Sequence, residues 1–252
     1  MIRTILIAFL VAGTAACSSA PETLSKPQPE RASDINLELG IDYYRKGNLA
    51  AAKDKIDRAV EQNPRNARAQ AAAGLLYDRL NDPRKSESHF ERAVSLDPEN
   101  PEILNNYAVI LCTRDKHAKG EKYFVEAASN PLYKTPEVAY LNAGNCARNA
   151  GDAKAAEEHY RKALAIRPRF GEALYQMADL EFHNKSYLAA RGFIERYLEV
   201  SKSSPSSLWL AVRIEQGLGN KTAASNYGQR LKLEHPQSPE AKQLIESERQ
   251  PG

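Results

Sequence analysis

Large apolar and small residues recur along this chain in a fixed order. Between residues 36 and 64 the order runs Leu39-Gly40, Tyr43, Ala52, Ile56, Ala59 and Asn63-Pro64. Thirty-four residues later it returns as Ala73-Gly74, Tyr77, Ser86, Phe90, Ala93 and Asp97-Pro98. A pitch of 34 residues is the signature of a helix–turn–helix unit that must stack on its neighbours to bury an apolar face.

Each unit resembles a tetratricopeptide repeat (TPR). In that family small residues at places 8, 20 and 27 let two antiparallel helices approach closely. Bulky residues at places 4, 7, 11 and 24 fill the gap, and Pro at place 32 ends the unit, because it cannot continue a helix. Six such units are expected, over residues 33–66, 67–100, 101–134, 137–170, 171–204 and 205–238. The third carries Leu104, Tyr107, Leu111, Gly120 and Phe124; the fourth carries Tyr140, Gly144, Ala156, Tyr160 and Pro168. A slip of two residues falls in the stretch 130–136, since Pro168 lies 70 residues after Pro98 rather than 68. The fifth and sixth units match less well, with Tyr197 and Gly228 at places that normally hold a small and a bulky residue. Two earlier departures are Asn36 and Gln70, both at places that are normally apolar. Residues 239–252 read as a capping helix and tail, with Ala241, Leu244 and Ile245 covering the last unit. The expected fold is therefore all-α, a TPR solenoid whose units the resemblance winds into a right-handed superhelix.

Composition supports this without adding to it. Ala and Leu are plentiful, and Pro falls between the periodic segments, which favours helices over strands. The 35 basic and 32 acidic residues are mixed along the chain and leave a net charge of only +3, too small for a nucleic-acid footprint.

The first residues stand apart. Arg3 precedes an unbroken apolar run from Ile5 to Val11, too short to span a bilayer, which takes about 20 residues. Small residues Gly13 to Ala16 then lead to Cys17. This resembles a bacterial lipoprotein signal, residues 1–16, with Cys17 acylated, although Thr14 stands where Leu is usual. The alternative is a plain signal peptide cut near Ala16, with Cys17 a spare thiol. Ser18 and Ser19 follow where an Asp would retain the protein at the inner membrane, so the resemblance implies a lipid-anchored outer-membrane protein on the periplasmic face. Residues 17–32, with Pro21, Pro27 and Pro29, read as a flexible tether. Semi-extended, it would reach roughly 45 Å.

No catalytic arrangement is legible. The histidines at 89, 117, 159, 183 and 235 are scattered, without HExxH or a partner at metal-ligand spacing, and no phosphate loop or nucleophile elbow occurs. The reading is a non-enzyme with no cofactor and no metal. Cys112 and Cys146 lie on the first helices of units three and four. Helix axes 8–10 Å apart favour two separate thiols over a bridge, with Cys112 facing the groove and Cys146 packing inward.

Binding surface is the remaining candidate. In the TPR family, places 2, 5, 9, 12 and 13 of each first helix line the concave wall. Here that implies Leu37, Ile41 and Tyr44 in unit one, with Ala71 and Leu75 in unit two, an apolar patch rimmed by charge. The alternative is that the tether folds over it. Further along, Asn105, Asn145, Arg148, Tyr175, Asp179 and Trp209 make a polar wall suited to a peptide backbone.

A lipoprotein signal, a tether and six TPR units look like the type IV pilus pilotin family (PilF/PilW). Leu104-Asn105-Asn106-Tyr107, Met177-Ala178-Asp179-Leu180 and Ala223-Ala224-Ser225-Asn226-Tyr227-Gly228 agree with it. The resemblance implies a pilotin that binds the type IV pilus secretin and promotes its outer-membrane localisation and multimerisation; a monomer is the default for a tethered adaptor, and the weak net charge argues against nucleic acid. The rival reading is a periplasmic TPR scaffold recruiting cell-wall hydrolases or synthases.

Overall fold

The computed structural model describes residues 28–249; the signal segment, Cys17 and the tether as far as residue 27 lie outside them. Among the described residues there are thirteen α-helices and no strands. They come as six antiparallel pairs, α1 (Pro29–Arg45) with α2 (Leu49–Gln62), α3 (Ala67–Arg79) with α4 (Pro83–Leu96), and α5 (Pro101–Cys112) with α6 (His117–Ser129). The series continues with α7 (Pro136–Asn149) and α8 (Ala153–Ile166), α9 (Gly171–His183) and α10 (Tyr187–Val200), α11 (Pro205–Gly217) and α12 (Lys221–Glu234). A last helix, α13 (Pro239–Arg249), buries Ala241 and Leu244 against Leu208, Val212 and Leu231.

The period is written into the backbone as well as the side chains. Each turn from first to second helix holds one residue at positive φ, at positions 47, 81, 115, 151, 185 and 219. The step is 34 throughout except for 36 between Asp115 and Gly151, where residues 130–136 add two. The turns then hand over to capped helices: Asn48, Asp82, Asp152 and Asn220 each accept the backbone N–H three residues on.

Within a pair, a small residue faces a bulky one. A Cβ at Gly74 would come within 2.6 Å of the Phe90 ring, and one at Gly40 within 2.5 Å of Ile56. Phe90 is fully buried and stacks on Tyr107 of the next pair at 5.1 Å. Such contacts repeat from end to end, so the core is a continuous strip of clusters rather than one centre.

Three features depart from expectation. First, α1 starts at Pro29, four residues before the expected unit boundary. Pro suits the first helical turn, and Ser33 docks that turn by donating from its buried hydroxyl to the Ala59 carbonyl at 2.8 Å. Second, the polar residues at apolar places each find hydrogen-bond partners of their own. Asn36 donates to Gln62 at 2.9 Å, while buried Gln70 donates to the Pro64 carbonyl at 3.0 Å and meets His89 Nδ1 at 2.8 Å. Burial of His89 lowers its pKa, consistent with a neutral ring accepting that environment.

Third, Cys112 and Cys146 form a disulfide, with Cα atoms 5.6 Å apart, where two free thiols were expected. The separation of helix axes misleads here, because each Cα stands about 2.3 Å off its own axis. Residues on facing sides of α5 and α7 are therefore well within bridging distance. Gly120 on α6 leaves the space that Cys112 Sγ fills, so Cys112 turns into the stack rather than toward the groove. The bridge ties pair three to pair four.

Restoring the apolar consensus at residue 70 should not stabilise the protein. Gln70→Leu leaves the Pro64 carbonyl and the His89 ring without partners, and urea titration should show a loss of about 1–3 kcal/mol. Replacing both Cys112 and Cys146 by Ser should cost about 2–4 kcal/mol in the same measurement, the entropy of the closed loop.

Candidate binding groove

The first helices, α1, α3, α5, α7, α9 and α11, form one wall, and its N-terminal end is hollow. A pocket of about 580 Å³ opens there between three successive first helices. Ile41, Tyr44 and Arg45 come from α1, Arg68, Ala71 and Leu75 from α3, and Ile103 and Asn106 from α5. Ile41, Tyr44 and Leu75 are half-buried, so their apolar faces are open to a partner; Ala71 is buried beneath them as floor. The Arg79 guanidinium lies over the Tyr44 ring at 5.2 Å, and Arg68 pairs with Glu38 at 2.8 Å, which places cations at the mouth.

Leu37 is not on this wall. Its side chain is fully buried in one cluster with Ala69, Ala72, Ala73 and Leu76 of α3. The run of alanines in α3 lets that helix come close enough to close over place 5 of the first unit. The general family positions therefore overstate the groove by one residue here.

Beyond the pocket the wall is polar and internally bonded. Asn105 and Asn142 are 3.4 Å apart, and Asn145 accepts from the Tyr160 hydroxyl at 2.8 Å. Burial pushes the Tyr160 phenol up to about 12, so it remains a donor. Arg148 donates to Gln176 at 2.9 Å and forms an ion pair with Asp179. Burial disfavours the Arg148 charge, but the Asp179 carboxylate beside it outweighs that and raises its pKa. Tyr175, half-buried against Tyr197 at 5.6 Å, has its pKa raised by burial first, and Arg213 covers Phe182 at 4.4 Å. These groups already serve one another, so Asn145 and Arg148 have little left to offer a ligand. Ile41, Tyr44, Ala71 and Leu75 share one pocket; Asn105, Asn145 and Tyr175 do not line it. Sequence reasoning missed Ile103 and Asn106, places 3 and 6 of the third unit, which enter the pocket because α5 closes its far side.

The same arrangement occurs in known proteins. Tetratricopeptide repeat models match residues 37–82 and 139–207, 67–100, and 89–122. The type IV pilus assembly protein PilF of Pseudomonas aeruginosa is 25% identical over 241 residues, covering 94% of this chain and 95% of its own. The crystal structure of PilW, described as a widely conserved type IV pilus biogenesis factor, superimposes with a TM-score of 0.74 at 30% identity, covering 84% of this chain and 98% of that one. A structure of Pseudomonas aeruginosa PilF gives a TM-score of 0.74 at 25% identity, over 87% and 99% of the two chains.

Two aspartate substitutions should separate wall from core. Leu37→Asp buries a charge between α1 and α3 and should lower stability by about 3 kcal/mol or more. Ile41→Asp leaves its carboxylate in reach of water and should cost less than about 1 kcal/mol, with both values read from chemical denaturation.

Proposed function

The chain belongs to the type IV pilus biogenesis family of tetratricopeptide repeat proteins that includes PilF and PilW, and on that premise we propose that it is a pilotin for the pilus secretin. Its repeats are protein-interaction modules rather than catalytic ones. In this reading, acylation at Cys17 anchors the chain to the outer membrane, and two or more acyl chains make that attachment stable where one would be marginal. The repeats then hold an apolar segment of a secretin subunit until subunit–subunit contacts take its place.

The observation that carries the proposal is the open apolar pocket formed by the first three units, at the end of the stack nearer in sequence to the proposed anchor. Ile41, Tyr44 and Leu75 offer a partner side chain a place out of water, at about 25 cal/mol per Å² of apolar surface covered. Arg45 and Arg68 at the mouth suit a segment with an acidic flank, which would fix its direction. The bonded wall beyond Asn105 gives a firm backing and takes less part in recognition.

The experiment is a doubly substituted chain, Ile41→Asp with Leu75→Asp, replacing the wild type in cells that make pili. Secretin co-purification should fall at least about tenfold, the change of about 1.4 kcal/mol or more expected when an apolar pocket gains two charges. Heat-resistant secretin multimers should fall with it while circular dichroism stays helical. Unchanged multimers would remove the pocket from the proposal. Labelled palmitate should attach to the wild type and not to Cys17→Ser, which tests the anchor separately; absence of label on wild type overturns acylation at Cys17.

A further inference from the structure

The bridge between α5 and α7 accounts for two cysteines but not for the imidazole beside them. Cys112 is the last residue of α5, His117 the first of α6, and Cys146 lies within the last turn of α7. The two sulfurs and a ring nitrogen of His117 all lie within 4.8 Å of one another. His117 Nδ1 is 3.8 Å from Cys146 Sγ, and its other nitrogen, Nε2, is 3.5 Å from the carboxylate of Asp115. Asp115 is the positive-φ residue of that turn, and its exposed carboxylate stands near the ring without yet hydrogen-bonding to it.

We propose that the dithiol form of this protein, the state in which the chain is first made, binds one zinc-class divalent cation between Cys112, His117 and Cys146. A tetrahedral zinc with sulfur at about 2.3 Å and nitrogen at about 2.0 Å wants its donors roughly 3.5–3.8 Å apart. The separation of 3.8 Å between Nδ1 and Cys146 Sγ already meets that, and the two sulfurs must part to admit the cation. Asp115 is placed to close on the distal ring nitrogen when metal binds, the contact by which a metal-bound histidine holds its tautomer with the lone pair on the other nitrogen turned to the cation. Cys146 is buried while Cys112 and His117 are partly exposed, so the cation would enter from their side and take water as its fourth ligand.

Binding converts two thiols to thiolates and releases two protons; with a neutral imidazole the charges of the centre cancel. No electrons move. Because both sulfurs are engaged, the cation and the disulfide are alternative states of the same residues, and the cation holds the bridge open until it leaves. Only His117 of the five histidines stands beside both sulfurs.

The test uses the full chain in detergent, held reduced by a trialkylphosphine, which takes up water oxygen as it returns two protons and two electrons to the sulfurs. Cobalt(II) is the probe. One equivalent should give an intense sulfur-to-cobalt charge-transfer band with the visible bands of a tetrahedral ion, and zinc should displace it. Cys112→Ser should lose that band. His117→Ala should bind at least about tenfold more weakly and lose the tetrahedral bands, and Asp115→Asn should weaken binding by about tenfold with the bands kept. Circular dichroism of each reduced variant reports whether it is folded. A second readout avoids the variants: after the phosphine is removed and oxidised glutathione is added as the two-electron oxidant, itself reduced to two thiols, one equivalent of zinc should slow closure of the wild-type bridge. Reduced wild type without a charge-transfer band, His117→Ala with an unchanged spectrum and affinity, or bridge closure at the same rate with and without zinc would each overturn the proposal.

Discussion

The structure depends on how closely two helices can approach. Gly40 under Ile56 and Gly74 under Phe90 leave no room for a single additional carbon, and the bulky partner is fully buried in each case. Large-to-small pairing of this kind fills space to crystal density without demanding polar contacts. Repeated at every pair, it sets the pitch of the stack and therefore the spacing of the first helices along the groove. The pocket exists because α1, α3 and α5 are held at that spacing while Ala71, at its floor, is too small to fill it.

Most of the fold was legible because its cause is local and periodic. Glycine, alanine and aromatic residues at a 34-residue pitch announce the pairs, and the two-residue slip is visible in the prolines before it is visible in the backbone. The turns were less so. Gly47, Gly151 and Gly219 advertise positive φ, whereas Asn81, Asp115 and Lys185 adopt it under the pull of the helices on either side. Asn36 and Gln70 read as blemishes because their partners, Gln62 and the Pro64 carbonyl with His89, are set by the pairing of helices and not by sequence spacing.

The candidate site was half legible for the same reason. Family places identify the wall, but which of them stays open depends on the neighbour's side chains. Alanines in α3 close over Leu37, and α5 contributes Ile103 from a place that no general pattern marks. The cysteines show the limit most plainly. An argument from helix axes separates them, while the faces of α5 and α7 bring them together and add His117 from the following turn. Residues 112, 117 and 146 carry no metal-ligand spacing, the first and last standing one repeat pitch apart, and only the stack makes them neighbours.

A one-dimensional stack frays from its ends, each unit leaning only on those beside it. The covalent link between residues 112 and 146 interrupts that order at the middle. An unzipping that begins at α13 can run back through the last two pairs, but at α7 it meets a bond that heat and solvent do not break. The half of the molecule that carries the hollow is thereby insulated from losses at the far end, and damage there need not silence the near end.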